Sequence, residues 1–336
     1  MAERRNTNRN TDRRRARRNV KLAGRIALLG ILLALLVILI LLIRWNIGTK
    51  SGFNAEEIGT EYETEELDQV FYVTEEDLAT SGAATDGQTH ILFLGNELFS
   101  DGEAGHRIPD LIGEALREQE GADVFMHNAS VPGSRIAPKS AEYNALYPYD
   151  LASFFYMAGY IARDDYTFLD RYAADSGDER ALSAAETIRE VVFEQLDAIV
   201  IGYDAIDYLN GAPVFNPDND YDAMTYCGAL KTGISVIRER YPHIRFVFLS
   251  PTYCYIYDED GNLNSSDIVD IGNGDLTTYL IKAIDVCQAD GVTVIDNYSG
   301  TVDADNADTM LENNIHLTDA AREHVAEHFM RVVYER

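Results

Sequence analysis

The sequence predicts an α/β domain, a three-layer α/β/α sandwich built on a five-stranded parallel sheet, behind one N-terminal transmembrane helix. Three observations carry this. From His90 onward, short apolar runs alternate with stretches of helical length, the pattern of parallel strands joined by crossover helices. Ile26–Ile43 is a run without a charged or polar side chain. The charge is also unevenly divided. Residues 1–25 hold ten Lys/Arg against Glu3 and Asp12, a tail of +8, so the rest of a chain of net charge −28 carries −36.

The apolar run, at 1.5 Å per residue, spans about 27 Å, close to the hydrocarbon thickness of a bilayer. Arg25 and Arg44 bracket it and Trp45 takes an interface position. The run is long for the apolar core of a cleaved signal peptide, and no small-x-small cleavage pattern directly follows Arg44. Residues 25–45 are therefore expected to be an uncleaved signal anchor. Residues 1–24 form a basic tail held in the cytoplasm by the positive-inside rule. The expected location is the cell membrane, single-pass, with the acidic remainder extracytoplasmic. Topology already accounts for the basic residues, so no nucleic-acid partner is expected. Residues 46–88 read as an acidic, solvated tether, with turns at Ser81-Gly82 and Asp86-Gly87 and one stretch, Val70–Val73, able to form a short strand. Cys227, Cys254 and Cys287 are far apart and lack metal-ligand spacing. They read as buried thiols, with one bridged pair left open.

The domain is expected over residues 89–336. Its first strand is Ile91–Leu94, followed by a helix at about Ile108–Glu118 with Pro109 in its first turn, where a missing N–H costs nothing. Asp123–His127 is the second strand. A helical, aromatic-rich insertion follows at about 134–196. Ala198–Ile201, Ile244–Leu249 and Val292–Ile295 are the remaining strands, with helices at Ala223–Arg240 and Leu276–Gln288 between them. Thr318 caps a final helix, with Asp319 in its first turn. No glycine-rich nucleotide fingerprint follows any strand, and no cofactor is expected.

Four short motifs stand at expected strand ends or before the last helix: Gly95-Asn96-Glu97-Leu98, Asn128…Gly133, Gly202-Tyr203-Asp204-Ala205 and Asn313-Asn314-Ile315-His316. In this order, from about His90 to the C-terminus, the chain resembles the SGNH/GDSL hydrolases, a flavodoxin-like family of esterases and acyl-transfer enzymes. The resemblance implies a nucleophile position at Glu97, an oxyanion-hole glycine at Gly133, an oxyanion asparagine position at Asp204, a histidine base at His316 and its acid partner position at Asn313. Glu97 has no hydroxyl. Asp204, when ionised, repels an oxyanion, and Asn313 carries no charge. Losing one oxyanion donor costs about a hundred- to a thousandfold in rate, and neutralising the triad acid about ten-thousandfold. The expected protein is a pseudoenzyme for serine-ester hydrolysis. What the resemblance implies about substrates points to binding or organising an envelope carbohydrate or an acylated polymer. The alternative is an active carbohydrate esterase or acyltransferase with a non-standard nucleophile, Ser100 or Ser134, both of which read as turn or cap serines. A purely structural role among membrane proteins is a third possibility.

Near the site, Arg135, Tyr147 and Tyr149 are the candidate ligand-binding residues. A carboxylate at a central strand end needs a partner, and Glu97 is expected to pair with His316 or Arg135, with Asp204 close by. No metal site is expected. His324-Val-Ala-Glu-His328 matches a short zinc-protease string but shows no third ligand, and Asp218-x-Asp220-x-Asp222 lacks the glycine and final glutamate of a calcium loop. Both read as surface features.

Overall fold

The computed structural model describes residues 67–80, 87–121 and 123–334. They belong to one unit, Thr64–Arg336. Its strands are β1 (Thr89–Gly95), β2 (Val124–Asn128), β3 (Ala198–Gly202), β4 (Arg245–Leu249), β5 (Tyr255–Tyr257), β6 (Leu263–Ser265) and β7 (Thr293–Ile295). Five of them form one parallel sheet in the order β2-β1-β3-β4-β7, and β5 and β6 make a separate antiparallel hairpin. The apolar runs that mark the strands are buried from both sides. Ile91–Leu94 and Ile199–Ile201 have no exposed surface, as a sheet covered by helices on both faces requires.

The helices are α1 (Glu75–Thr80), the single turn α2 (Glu97–Ser100), α3 (Ile108–Glu120), α4 (Phe154–Arg163), α5 (Thr167–Ser176), α6 (Glu179–Glu190), the single turn α7 (Ile206–Leu209), α8 (Tyr226–Arg240), α9 (Leu276–Ala289), the single turn α10 (Ala307–Met310) and α11 (Asp319–Val333). Helix α3 packs with α11, and α8 packs with α4 and α9. Right-handed crossovers place the first pair on one face and the second group on the other. The main helices begin where their caps dictate. Pro109 opens α3, Thr225 accepts from Gly228 N at 3.1 Å, and Thr318 accepts from Ala321 N at 3.3 Å. The expected insertion holds α4, α5 and α6. Its apolar stretch is core, with Phe154, Met157 and Tyr160 buried.

The chain leaves β1 toward β2 and leaves β3 toward β4, in opposite directions. The carboxyl ends of β1 and β3 are therefore the topological switch point, where open α/β sheets form a crevice. Both strands end in glycine, and Gly95 and Gly202 are register partners. A β-carbon on Gly95 would lie 2.0 Å from the Gly202 carbonyl, and one on Gly202 would lie 2.3 Å from Phe99 Cζ. Phe99 of α2 fits under the crevice only because both side chains are missing.

Two expectations are revised. Ladder pairing rather than the apolar run sets the strand ends: β1 reaches from Thr89 to Gly95 and β3 to Gly202, β2 moves on by one residue, and β4 and β7 begin one residue later than expected. Within the stretch expected to be a solvated tether, Gln69 pairs antiparallel with Val294 on the free edge of β7, beside the short strand expected at Val70–Val73. Cys227, Cys254 and Cys287 are buried free thiols. Among the described residues no helix is long and apolar enough to cross a membrane. The anchor expected at 25–45 lies outside the described residues.

Candidate functional site

The site is assembled by the turn after β1. Asn96 is fully buried and caps α2, its Oδ1 accepting from Leu98 N at 3.2 Å. The same side chain ties the first motif to the third. Asn96 Nδ2 donates to Asp204 Oδ1 at 2.8 Å, and Asp204 N donates back to Asn96 Oδ1 at 3.2 Å. The second motif runs alongside β1, with Ala129 N bonded to the Phe93 carbonyl and Val131 N to that of Gly95. Gly133 follows with φ +73°, a left-handed conformation that favours glycine. Its N–H donates to Glu97 Oε1 at 2.8 Å. The Glu97 carboxylate therefore occupies the donor that the resemblance assigns to an oxyanion.

Asp204 lies buried beside this carboxylate. Burial, and then the Glu97 charge, push its carboxyl up to about 7, against the bonds from Asn96 and Ile206 N. Asp207 is also buried. Desolvation raises it to about 6, partly offset by the N–H groups of Ile136 and Ala137.

The expected pairing of Glu97 with His316 or Arg135 is not formed, because each cation has a nearer acid. His316 Nδ1 stands 3.4 Å from Asp101 Oδ2, and Asp101 also lies 3.8 Å from Arg180 Nη1. Arg135 is buried against Asp150 and donates through Nε to the Ala137 carbonyl, so it faces the insertion. Asn313 does not orient the imidazole. Its Oδ1 accepts from Ile315 N at 2.9 Å and His316 N at 3.0 Å, closing the turn that presents the ring. The two alternative serines do not meet His316 either. Ser134 Oγ donates to the Gly95 carbonyl at 3.2 Å, and the buried Ser100 Oγ has no hydrogen-bond partner.

Tyr149 is 58% exposed and Tyr147 is also open to solvent. A β-carbon on Gly133 would lie 4.0 Å from Tyr149 Cδ1, so this ring flanks the Glu97–Gly133 contact. Tyr149 meets Tyr172 edge-on at 6.2 Å, and Lys139 lies over the Tyr147 ring. Burial, together with the Tyr149, Asp178 and Glu97 charges, raises the Tyr172 hydroxyl to about 12. Among the described residues no group of three His, Cys, Asp or Glu is placed to hold a metal ion. Asp222 caps its own loop through Asn216 and Met224 N. His328, in the zinc-like string, is buried against Asp68.

Asp101 is the residue that reading the motifs missed. It is the extended residue that ends the single turn of α2, its N–H bonded to the Glu97 carbonyl, and no motif marks it in the sequence.

The chain is similar in fold to solved GDSL-like hydrolases. A lipase/acylhydrolase from Enterococcus faecalis is 16% identical over 73% of this chain and 94% of its own, with a TM-score of 0.43. A protein described as a GDSL-like lipase from Parabacteroides merdae is 14% identical over 74% and 97%, with a TM-score of 0.46. An acetyl xylan esterase is 14% identical over 73% and 99%, with a TM-score of 0.45. No family model matches the sequence, and no curated protein is found to resemble it.

Proposed function

We propose that this is a membrane-anchored, extracytoplasmic protein with an SGNH/GDSL hydrolase-like fold that binds an envelope carbohydrate or acylated polymer and does not hydrolyse esters through a serine. The bond from Gly133 N to Glu97 Oε1 carries this reading. A carboxylate there removes the hydroxyl nucleophile and repels negative charge building on a carbonyl oxygen, so both halves of acyl-transfer catalysis are opposed at one position. The open rings of Tyr147 and Tyr149 suit the apolar faces of a sugar. The anchor rests on the +8 tail and the run Ile26–Ile43.

The test is short acyl-ester hydrolysis by the full chain in detergent. The native protein is expected to match the buffer rate. Glu97→Ser with Asp204→Asn is expected to exceed it at least tenfold, using the Asp101–His316 pair already present. Native turnover equal to that of the variant would sink the proposal. The Asp101–His316 pair also supports a second reading, an esterase or acyltransferase with another nucleophile. Labelling by a serine-directed phosphonate probe that disappears in Ser100→Ala would favour it.

A further inference from the structure

We propose that residues 67–73 form a releasable strap on the edge of the sheet, held by Asp68 as a buried catch, so that this stretch has a docked and a released state.

Among the described residues the backbone contacts are few. Gln69 and Val294 exchange N–H···O bonds of 3.0 and 2.8 Å, and Leu67 N donates to Asp296 Oδ2 at 3.1 Å. Thr293 completes the edge with its side chain, Oγ1 accepting from Phe71 N at 3.0 Å and donating to the Phe71 carbonyl at 2.9 Å. Apolar burial is also small. Val70 packs partly buried on the core, while Leu67, Tyr72 and Leu78 are exposed. Docking also leaves Gln69 Oε1 buried without a hydrogen-bond partner. Ordering such a segment costs backbone entropy at every residue, and edge hydrogen bonds exchanged for bonds to water return little of it.

The catch supplies what the strap lacks. Asp68 Oδ2 lies 3.0 Å from His328 Nε2, both side chains being 3% exposed, and Asp68 Oδ1 accepts from Asp296 N at 2.9 Å. The other ring nitrogen, Nδ1, stands 3.0 Å from Thr301 Oγ1. A buried carboxylate is costly without partners, so loss of the imidazole weakens the hold on Asp68 and on the strap that carries it. The rest of the fold does not depend on the strap. Strand β7 pairs with β4 and packs under α9 and α11 without it. Release through residue 80 lets that stretch be drawn out to about 45 Å at ~3.3 Å per residue. Segments with few buried apolar contacts are the ones that open below the free energy of global unfolding.

The experiment is hydrogen exchange on the full chain in detergent micelles, at increasing sub-denaturing urea. The amides of Gln69, Phe71 and Val294 are expected to exchange at least tenfold faster than those of Ile91–Leu94, by an opening that urea barely accelerates. His328→Gln and Asp68→Ala are each expected to speed the strap amides at least tenfold more and leave the β1 amides unchanged. Strap amides that exchange at the β1 rate with the β1 urea dependence would overturn the proposal, and so would strap rates unmoved by either variant. Should both variants fail to fold, the urea dependence of the native protein decides alone.

Discussion

His316 faces Asp101 at the mouth of the crevice, 3.4 Å away, with 35% and 25% of the side chains exposed. His328 faces Asp68 beneath the strap, 3.0 Å away, with 3% of each exposed. The chemical groups are the same and their consequences are opposite. Water can satisfy His316 and Asp101 separately, so their contact stabilises little and leaves both available to a ligand. His328 and Asp68 are closed to solvent and held by protein groups, Thr301 on the ring and Asp296 N on the carboxylate among them. The difference leaves the first pair open to solvent and closes the second inside the fold.

A third pair calibrates the comparison. Arg135 and Asp150 are buried inside the insertion, and Asp150 Oδ2 also accepts from Ser140 N at 3.0 Å. Unlike Asp68, neither can leave without dismantling packed structure. Asp150→Ala is expected to cost about 3–5 kcal/mol of stability, read as a shift of the denaturation midpoint at unchanged slope. A cost below about 1 kcal/mol would erase the distinction between trapped and escapable buried charge.

Asp204 is a buried acid with no cation opposite among the described residues. Its folded carboxyl stands at about 7 against an ordinary 3.8. A raised carboxyl holds its proton longer in the folded state. The stability it contributes is present below the unfolded value and is lost as pH rises through about 4 to 7. Asp204→Asn keeps the acceptor for Asn96 and removes the charge. Its gain is expected to be near zero at pH 4 and to reach about 3–4 kcal/mol at pH 8. Urea unfolding at the two pH values checks this, with Asp207, raised to about 6, leaving a smaller residual slope. An equal gain at both pH values would mean that the charge is not the cause. The smallest effect belongs to the exposed pair. Asp101→Asn is expected to change stability by less than about 1 kcal/mol, falling further in high salt.

The apolar runs that marked β1 and β3 are the fully buried centre of the sheet, and Thr318 caps the helix it was assigned. These features were legible because they depend on neighbours in sequence. Partner choice in the site was not. Arg135 follows Gly133 by two residues but turns into the insertion, and Asn313 spends its oxygen on its own turn. The strap was legible only as the short strand allowed at Val70–Val73, because in sequence Asp68 looks like any other acid of the tether. Its pairing with His328, 260 positions away, is set by the tertiary fold.

The strap has a direction. It runs antiparallel to β7, with Leu67 bonded to Asp296 past the strand's carboxyl end and Phe71 bonded to Thr293 at its start. Residue 67 thus lies at the same pole of the sheet as the crevice. Among the described contacts, a pull on residue 67 meets its bond to Asp296 first and the Asp68–His328 pair next, before the Gln69–Val294 and Phe71–Thr293 bonds.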